Sequence, residues 1–181
     1  RDSSGYAQPL PPTPGGGARC RPFFTLFGGG RRKPRRGMAA PMAVHRQTIP
    51  LETKGEVQAI DITPQVAKVI RSSGLAEGIA CVFVPGSTAA IVANEFEPGL
   101  MRTDVPAALE RLLPKGIRYA HEEAWHDGNG HSHVRSTVLG PSVTFPFGGG
   151  KPLLGTWQQI VFLELDNRPR SREVVVQLVG E

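Results

Sequence analysis

The chain has 181 residues, 39% of them hydrophobic and 20% charged, a size and balance that suit one globular domain with an appended segment. Its formal charge of +5 is unevenly placed: residues 1–41 hold eight Lys or Arg against one Asp, and residues 42–181 hold 13 basic against 15 acidic groups. A broadly basic, nucleic-acid-coating fold is therefore not indicated, and no run reaches the roughly 20 apolar residues needed to cross a bilayer.

Residues 1–41 are crowded with Pro, Gly and Arg and show no apolar periodicity. Such a segment buries too little apolar surface to offset its ordering entropy, so it is expected to be a disordered basic tail. Its run "RRKPRR" has the charge to attract nucleic acid or an acidic surface, but nucleic acid is not the expected partner. Met38 and Met42 stand where order is expected to begin, so the tail is read as an extension that need not belong to the natural mature chain. Its apolar run "PFFTLFGGG" is too short for a signal-peptide core. A single domain is expected over 42–181.

From residue 43 the pattern becomes short extended runs punctuated by Gly and Pro. "AVHRQTIPLET" and "EVQAIDIT" alternate as half-buried strands do. "TPQVAKVIRSSG" predicts a helix with Thr63 as cap, Val66, Val69 and Ile70 on one face, and Gly74 closing it. "GIACVFVP" has the continuous apolar character of a fully buried strand, with Cys81 as a small core residue and "TAAIVANE" as its neighbour. "VPAALERLLP" predicts a second helix, capped by Thr103 or Asp104, with Leu109, Leu112 and Leu113 facing inward. "PSVTFPF", "PLLGTWQQIVFLELD" and "REVVVQLVG" predict an antiparallel meander, with Arg168, Arg170 and Arg172 solvated in its last turn. Clustered strands with two or three short helices indicate an α+β fold with mainly antiparallel sheets. Two cysteines without a CxxC pair leave a reducing cytoplasm as the expected compartment.

Chemistry-bearing residues collect in three stretches. "YAHEEAWHDGNGHSHVRSTVLG" holds four of the five histidines. "NGHSHVRSTVLG" is read as a helix between Asn129 and Gly140, on which His131 and His133 point about 200° apart. His133 then combines with His121 or with carboxylates from elsewhere. Spacing leaves both a metal or acid–base site and a solvated loop open, because no strong zinc signature is present. In "PGSTAAIVANEFEPGL", Ser87 and Thr88 are candidates for a phosphate or carboxylate, and Asn94, Glu95 and Glu97 for a cation or proton. In "LGTWQQIVFLELD", Thr156, Trp157 and Gln158 either pack an edge or line a pocket.

Together these stretches resemble the YjbQ family, often labelled secondary thiamine-phosphate synthase. The resemblance spans about residues 43–181 and rests on Ser-Thr-Ala-Ala, Asn-Glu, Tyr-x-His, Ser-His-x-(Lys/Arg)-Ser, Gly-Pro-Ser and Gly-Thr-Trp-Gln. It implies a YjbQ-like half-barrel or sandwich of meandering antiparallel sheets, a homotrimer, and a pocket near the subunit boundary where the three stretches converge. It further implies a weak transferase activity joining a pyrimidine methyl diphosphate to a thiazole phosphate. The roles it suggests are catalytic for His121, His133 and Glu95, and ligand-binding for Ser87, Thr88, Asn94, Arg135, Thr156 and Gln158. A divalent metal, Zn or Mg, is expected on His121, His131, His133 and Glu97. Gly86 departs from the family pattern, standing where many members carry histidine, and His131 or a carboxylate (Glu95 or Glu97) is the expected substitute. The alternative is a non-catalytic trimeric protein that holds a small ligand or metal.

Overall fold

A computed structural model describes residues 41–181. The expected disordered tail, with "RRKPRR", "PFFTLF" and Cys20, lies outside the described residues, Pro41 apart.

The period-two pattern of the first run is realised in β1 (Ala43–Glu52), which turns Ile49 and Leu51 inward. It pairs antiparallel with β8 (Ser171–Gly180), from Ala43 opposite Gly180 to Glu52 opposite Ser171. The other edge of β8 pairs with β3 (Glu77–Phe83), which pairs with β5 (Ser142–Gly148). Gly149 and Gly150, at φ 56° and 74°, turn β5 back into the short β6 (Lys151–Pro152). Positive φ at both central positions is what a tight hairpin turn requires, and glycine adopts it without a Cβ clash. The resulting sheet has the order β1-β8-β3-β5-β6.

A second antiparallel sheet has β7 (Gln159–Glu164) between β2 (Gln58–Asp61) and β4 (Ala89–Asn94). Between the two sheets lies the main core. Val174, Val176 and Leu178 of β8, and Phe145 and Phe147 of β5, meet Ile160 and Phe162 of β7 and Ile91 of β4. Helix α1 (Thr63–Ser73) adds Val66, Val69 and Ile70, the predicted stripe, and ends at Gly74 with φ 74°. The opposite face of the second sheet, with Ala90, Val161 and Leu163, packs against Met101 and Leu109. These two belong to a π-helical turn (Leu100–Asp104) and to α2 (Val105–Leu112) that continues it. Two further helices are α3 (Glu122–Trp125) and α4 (Gly130–Leu139). The α+β class with antiparallel sheets holds, with four α-helices among the described residues rather than two or three.

Several local expectations are corrected. The fully buried strand is β7, covered on both faces, whereas β3 alternates: Ala80 and Val82 are buried while Ile79 and Phe83 are 55% and 39% exposed. Cys81 is accordingly half-buried on an outer apolar face. An apolar run on both sides of a strand hides its period, so burial was not readable from it. Strand β4 pairs with β7 instead of β3, and β7 and β8 lie in different sheets, so the last runs form no continuous meander. The Thr63 hydroxyl accepts from the Ile160 N–H, and it is Asp61 whose carboxylate accepts from the Thr63 N–H. Neither Thr103 nor Asp104 caps the second helix. Glu97 does so one turn earlier, accepting from the N–H groups of Gly99 (2.8 Å) and Leu100 (2.7 Å). Leu109 is buried and Leu113 half-buried, but Leu112 is 77% exposed.

Candidate functional site

The histidine stretch is held in place by α4, which lies along β4. Ser136 donates to the Ala89 carbonyl at 2.7 Å, and the Ile91 N–H donates to the Gly140 carbonyl at 3.2 Å. The N-terminal end of α4 therefore lies toward the Gly86–Thr88 turn. The Asn167 amide donates to the Asp127 carbonyl at 2.9 Å, which brings the segment after β7 to the same place.

Between Tyr119 and Gly130 the chain folds back on itself. Glu122 accepts from the N–H groups of Gly128 (2.6 Å) and Gly130 (2.7 Å), while His126 and Gly128 adopt φ of 51° and 71°. Gly130 is required by close approach: a Cβ there would lie 2.6 Å from the Tyr119 Cβ. The fold-back sets His121 against two partners. Its ring lies 4.4 Å from that of His133, centroid to centroid and tilted by 48°, and its Nε2 lies 3.6 Å from Asp127 Oδ1. The side chains of His121 and Asp127 are about one-third exposed, yet His121 Nε2, Asp127 Oδ1 and the nearby Asn129 Oδ1 are covered atoms with no hydrogen-bond partner. Such unsatisfied atoms are uncommon in native proteins, where ordered water or a further polar group commonly completes the bonding.

His131 points elsewhere, as its position on the helix requires. It is 1% exposed, with Nε2 3.5 Å from Glu56 Oε2 and its ring beside Tyr119. Burial pushes its pKa below the usual histidine value; Glu56 opposes that shift and the charge of Arg135 adds to it. Arg135, one turn on and also 1% exposed, donates to the Leu113 carbonyl at 3.0 Å and to Glu110 at 2.7 Å, and has Glu56 at 3.7 Å. Lys115 completes this group on Glu56 at 2.6 Å. Arg135 is thus a strut between α4 and the end of α2 rather than a free anion-binding cation.

Beside the Gly86–Thr88 turn is a buried polar clamp that joins the two sheets. Glu164 on β7 is fully buried and accepts from Arg172 on β8, at 2.8 Å from Nε and 2.6 Å from Nη2, and from Thr53 at 2.9 Å. Thr88 accepts from Arg172 and donates to Asp166, each at 2.9 Å, and Arg170 donates to Asp166. Arg170 and Arg172 are therefore not solvated turn residues; Arg168 is exposed. The Arg172 guanidinium lies 3.0 Å from where a Cβ at Gly86 would sit, so a cation occupies the surroundings of the missing histidine.

Burial alone would raise the Asp166 carboxyl, but hydrogen bonds from Arg170 and Thr88 and the charges of Arg170 and Arg172 hold it below the usual range. A carboxyl held low in the fold contributes stability above its unfolded pKa of about 3.9, and that contribution is lost as pH falls through the folded value. Urea unfolding from pH 7 to pH 3 is expected to show this loss in the wild type and a flatter profile in Asp166→Asn. Parallel profiles would contradict it.

The remaining candidates lie at the far end of β4. Six residues of strand, about 20 Å, separate Ala89 from Glu95. Asn94 and Glu95 are exposed, and Asn94 Oδ1 accepts from the Glu95 N–H. Glu97 is engaged as the helix cap, and its pKa is lowered by the N–H groups of Gly99 and Leu100. Thr156, Trp157 and Gln158 are exposed beside them, because Gln159 pairs with Asn94. Gln158 accepts from the Gly155 N–H. Within one chain the structure joins His121 to His133 and ties their stretch to Asn167, next to the Asp166 that Thr88 bonds, and the length of β4 separates Thr88 from Glu95 and Glu97. Ser87 is exposed at the turn, with no side-chain bond.

Among the described residues, no group of three or more His, Cys, Asp or Glu side chains is arranged to hold an ion. Asp127, the Glu56 group and the Glu164 clamp were missed in sequence reasoning. The readable signal was the pair of acids in "IVFLELD", since charge inside an apolar strand implies a buried partner.

Comparison with known proteins agrees with this architecture. The family model described as "UPF0047 protein YjbQ-like" matches residues 47–181. A UPF0047 protein of Methanothermobacter thermautotrophicus is 43% identical over 140 residues, which cover 77% of this chain and 95% of that protein. One from Archaeoglobus fulgidus is 42% identical over 127 residues, covering 70% and 95%. The crystal structure of a protein of unknown function from Sulfolobus solfataricus is similar at TM-score 0.73 and 38% identity, covering 78% of this chain and all of that one. An uncharacterised conserved protein from Clostridium acetobutylicum gives TM-score 0.67 and 39% identity, covering 73% and 98%. On sequence and fold together, the chain belongs to the YjbQ-like UPF0047 family.

Proposed function

We propose that His121 and His133, with Asp127 beside them, form the reactive centre of a site for a small phosphorylated molecule, and that its reaction is a weak thiamine-phosphate synthesis. The observation that carries this reading is the imidazole pair, 4.4 Å apart, with a covered and unpartnered Nε2 on His121. In that reaction the bond between the pyrimidine methylene carbon and the diphosphate oxygen breaks, and its electron pair leaves with pyrophosphate. The thiazole nitrogen supplies the pair for the new C–N bond. The imidazoles hydrogen-bond the departing diphosphate and supply a proton to it, while Asp127 steadies the ring of His121. Mg²⁺ would come bound to the diphosphate, as this ion commonly does, and would help carry the charge of the leaving pyrophosphate.

The site is completed in a homotrimer, where Asn94, Glu95, Thr156 and Gln158 of a neighbouring copy approach the histidines. Two features support assembly: Trp157 is 71% exposed beside those polar groups, and the outer face of β3 and β8 exposes Ile79, Phe83 and Val179. The compartment proposed is the cytoplasm; among the described residues no helix is long and apolar enough to cross a membrane.

The test is product formation from the two thiamine precursors and Mg²⁺, with particle mass measured by light scattering. His121→Ala and His133→Ala are each expected to lower the rate by about 100-fold or more, the usual loss on removing an acid–base group. A rate unchanged in both variants would refute the assignment. Precursor binding without product would assign the non-catalytic alternative.

A further inference from the structure

A cavity of about 310 Å³ opens between the β2 end of the second sheet and the π-helical turn, lined among others by Lys54, Gln58, Phe96, Glu97, Met101 and Arg102. Its position at the far end of β4 keeps it apart from the histidine pair of the same chain. We infer that it binds a small organic anion, a single ring carrying one phosphate, independently of the function proposed above.

The charges decide the class of ligand. Lys54 and Arg102 both line the cavity, and among the described residues neither side chain has a carboxylate within ion-pair distance or a hydrogen-bond partner. The basic residues of the two buried groups, in contrast, all have acidic partners. The one carboxylate in the wall, Glu97, has each oxygen held by a backbone N–H, from Gly99 and Leu100. This leaves the cavity with two uncommitted cations and one carboxylate whose oxygens are already engaged by the backbone. A dianionic phosphate satisfies both cations, through charge-assisted hydrogen bonds of the kind guanidinium and ammonium groups make.

The apolar part decides the rest of the molecule. Met101, 3% exposed, closes the floor, and Phe96, 38% exposed, offers a ring at the wall. A volume near 310 Å³ is at the small end of ligand sites, sufficient for one ring with its phosphate and too small for a dinucleotide. The Gln58 side-chain amide oxygen, Oε1, accepts from the Lys54 backbone N–H at 2.7 Å, so the base of the Lys54 side chain is anchored. Lys54 and Arg102 are exposed, and their replacement leaves the core untouched.

The experiment is isothermal titration of the full chain with phenyl phosphate, with inorganic phosphate and phenol as probes of charge and ring alone. Phenyl phosphate is expected to bind, with phosphate and phenol each at least tenfold weaker. Lys54→Gln and Arg102→Gln should each weaken phenyl phosphate about tenfold, the loss of one charge-assisted bond. Arg111→Gln, which changes an exposed cation on α2 outside the lining, should leave it unchanged. No binding by the wild type would overturn the inference, as would equal binding of phosphate and phenyl phosphate. Binding lost in His121→Ala but kept in the Lys54, Arg102 double variant would move the anion to the histidine pair and overturn it too, while leaving the proposed function intact.

Discussion

Arg172→Ala is expected to destabilise the fold by about 3–5 kcal/mol, the usual result of removing one partner of a buried ion pair. Arg172 donates twice to Glu164, which is fully buried, and also to the hydroxyl and carbonyl of Thr88. Without it, Glu164 keeps only the Thr53 hydroxyl and the Asp166 N–H. The carboxylate must then stay charged in an apolar setting or take up a proton, and both options cost stability. Because Arg172 lies on β8 and Glu164 on β7, the loss falls on the junction between the two sheets. Urea unfolding followed by circular dichroism measures it, and a loss below about 1 kcal/mol, the value of an exposed pair, would show that the clamp is solvated. A double variant, Arg172→Met with Glu164→Leu, should recover much of the loss, since apolar replacement of a whole buried pair is commonly tolerated.

Arg135→Ala is expected to cost about 2–4 kcal/mol, combining a lost charge-assisted bond with the void left by a large buried side chain. The Leu113 carbonyl and the Glu56 carboxylate both lose a partner, and the end of α2 loses its tie to α4. The same substitution separates two roles. A ligand-binding arginine would weaken precursor binding at unchanged stability, whereas a strut lowers the unfolding midpoint and leaves binding intact at temperatures where the variant is folded. Thermal unfolding and precursor titration on one sample decide between them. An unchanged midpoint would restore the ligand-binding role.

The amphipathic elements were the most legible part of the chain. The stripe Val66, Val69, Ile70 and the stop at Gly74 are local properties, as are the Asn129 and Gly140 limits of α4. The opposed directions of His131 and His133 follow from helical geometry alone, but whether His133 meets His121 or a carboxylate from elsewhere did not. The strand partners were less legible. Adjacent runs usually pair, but β7 and β8 do not, because the Asp166–Arg170 segment carries the chain from one sheet to the other.

The candidate site divides in the same way. Residue types and motifs picked out the stretches that carry the candidate residues, but proximity along the sequence did not show that Glu95 and Glu97 lie apart from the histidine pair of the same chain, or that Arg135 is buried against Glu110 and Glu56. Glu97 lies nine residues from Thr88, a short interval in sequence, yet an extended strand turns that interval into most of the length of the sheet. Arg135 lies two residues from His133, but a helix turns the two side chains to opposite faces. The sequence by itself determined the family motifs, the helices and the α+β class, because period, caps and turns depend on neighbouring residues. Only the tertiary structure decided which imidazoles meet, which arginines are buried and which apolar faces stay open. Those outcomes depend on contacts between residues far apart in the chain, and no local pattern encodes them.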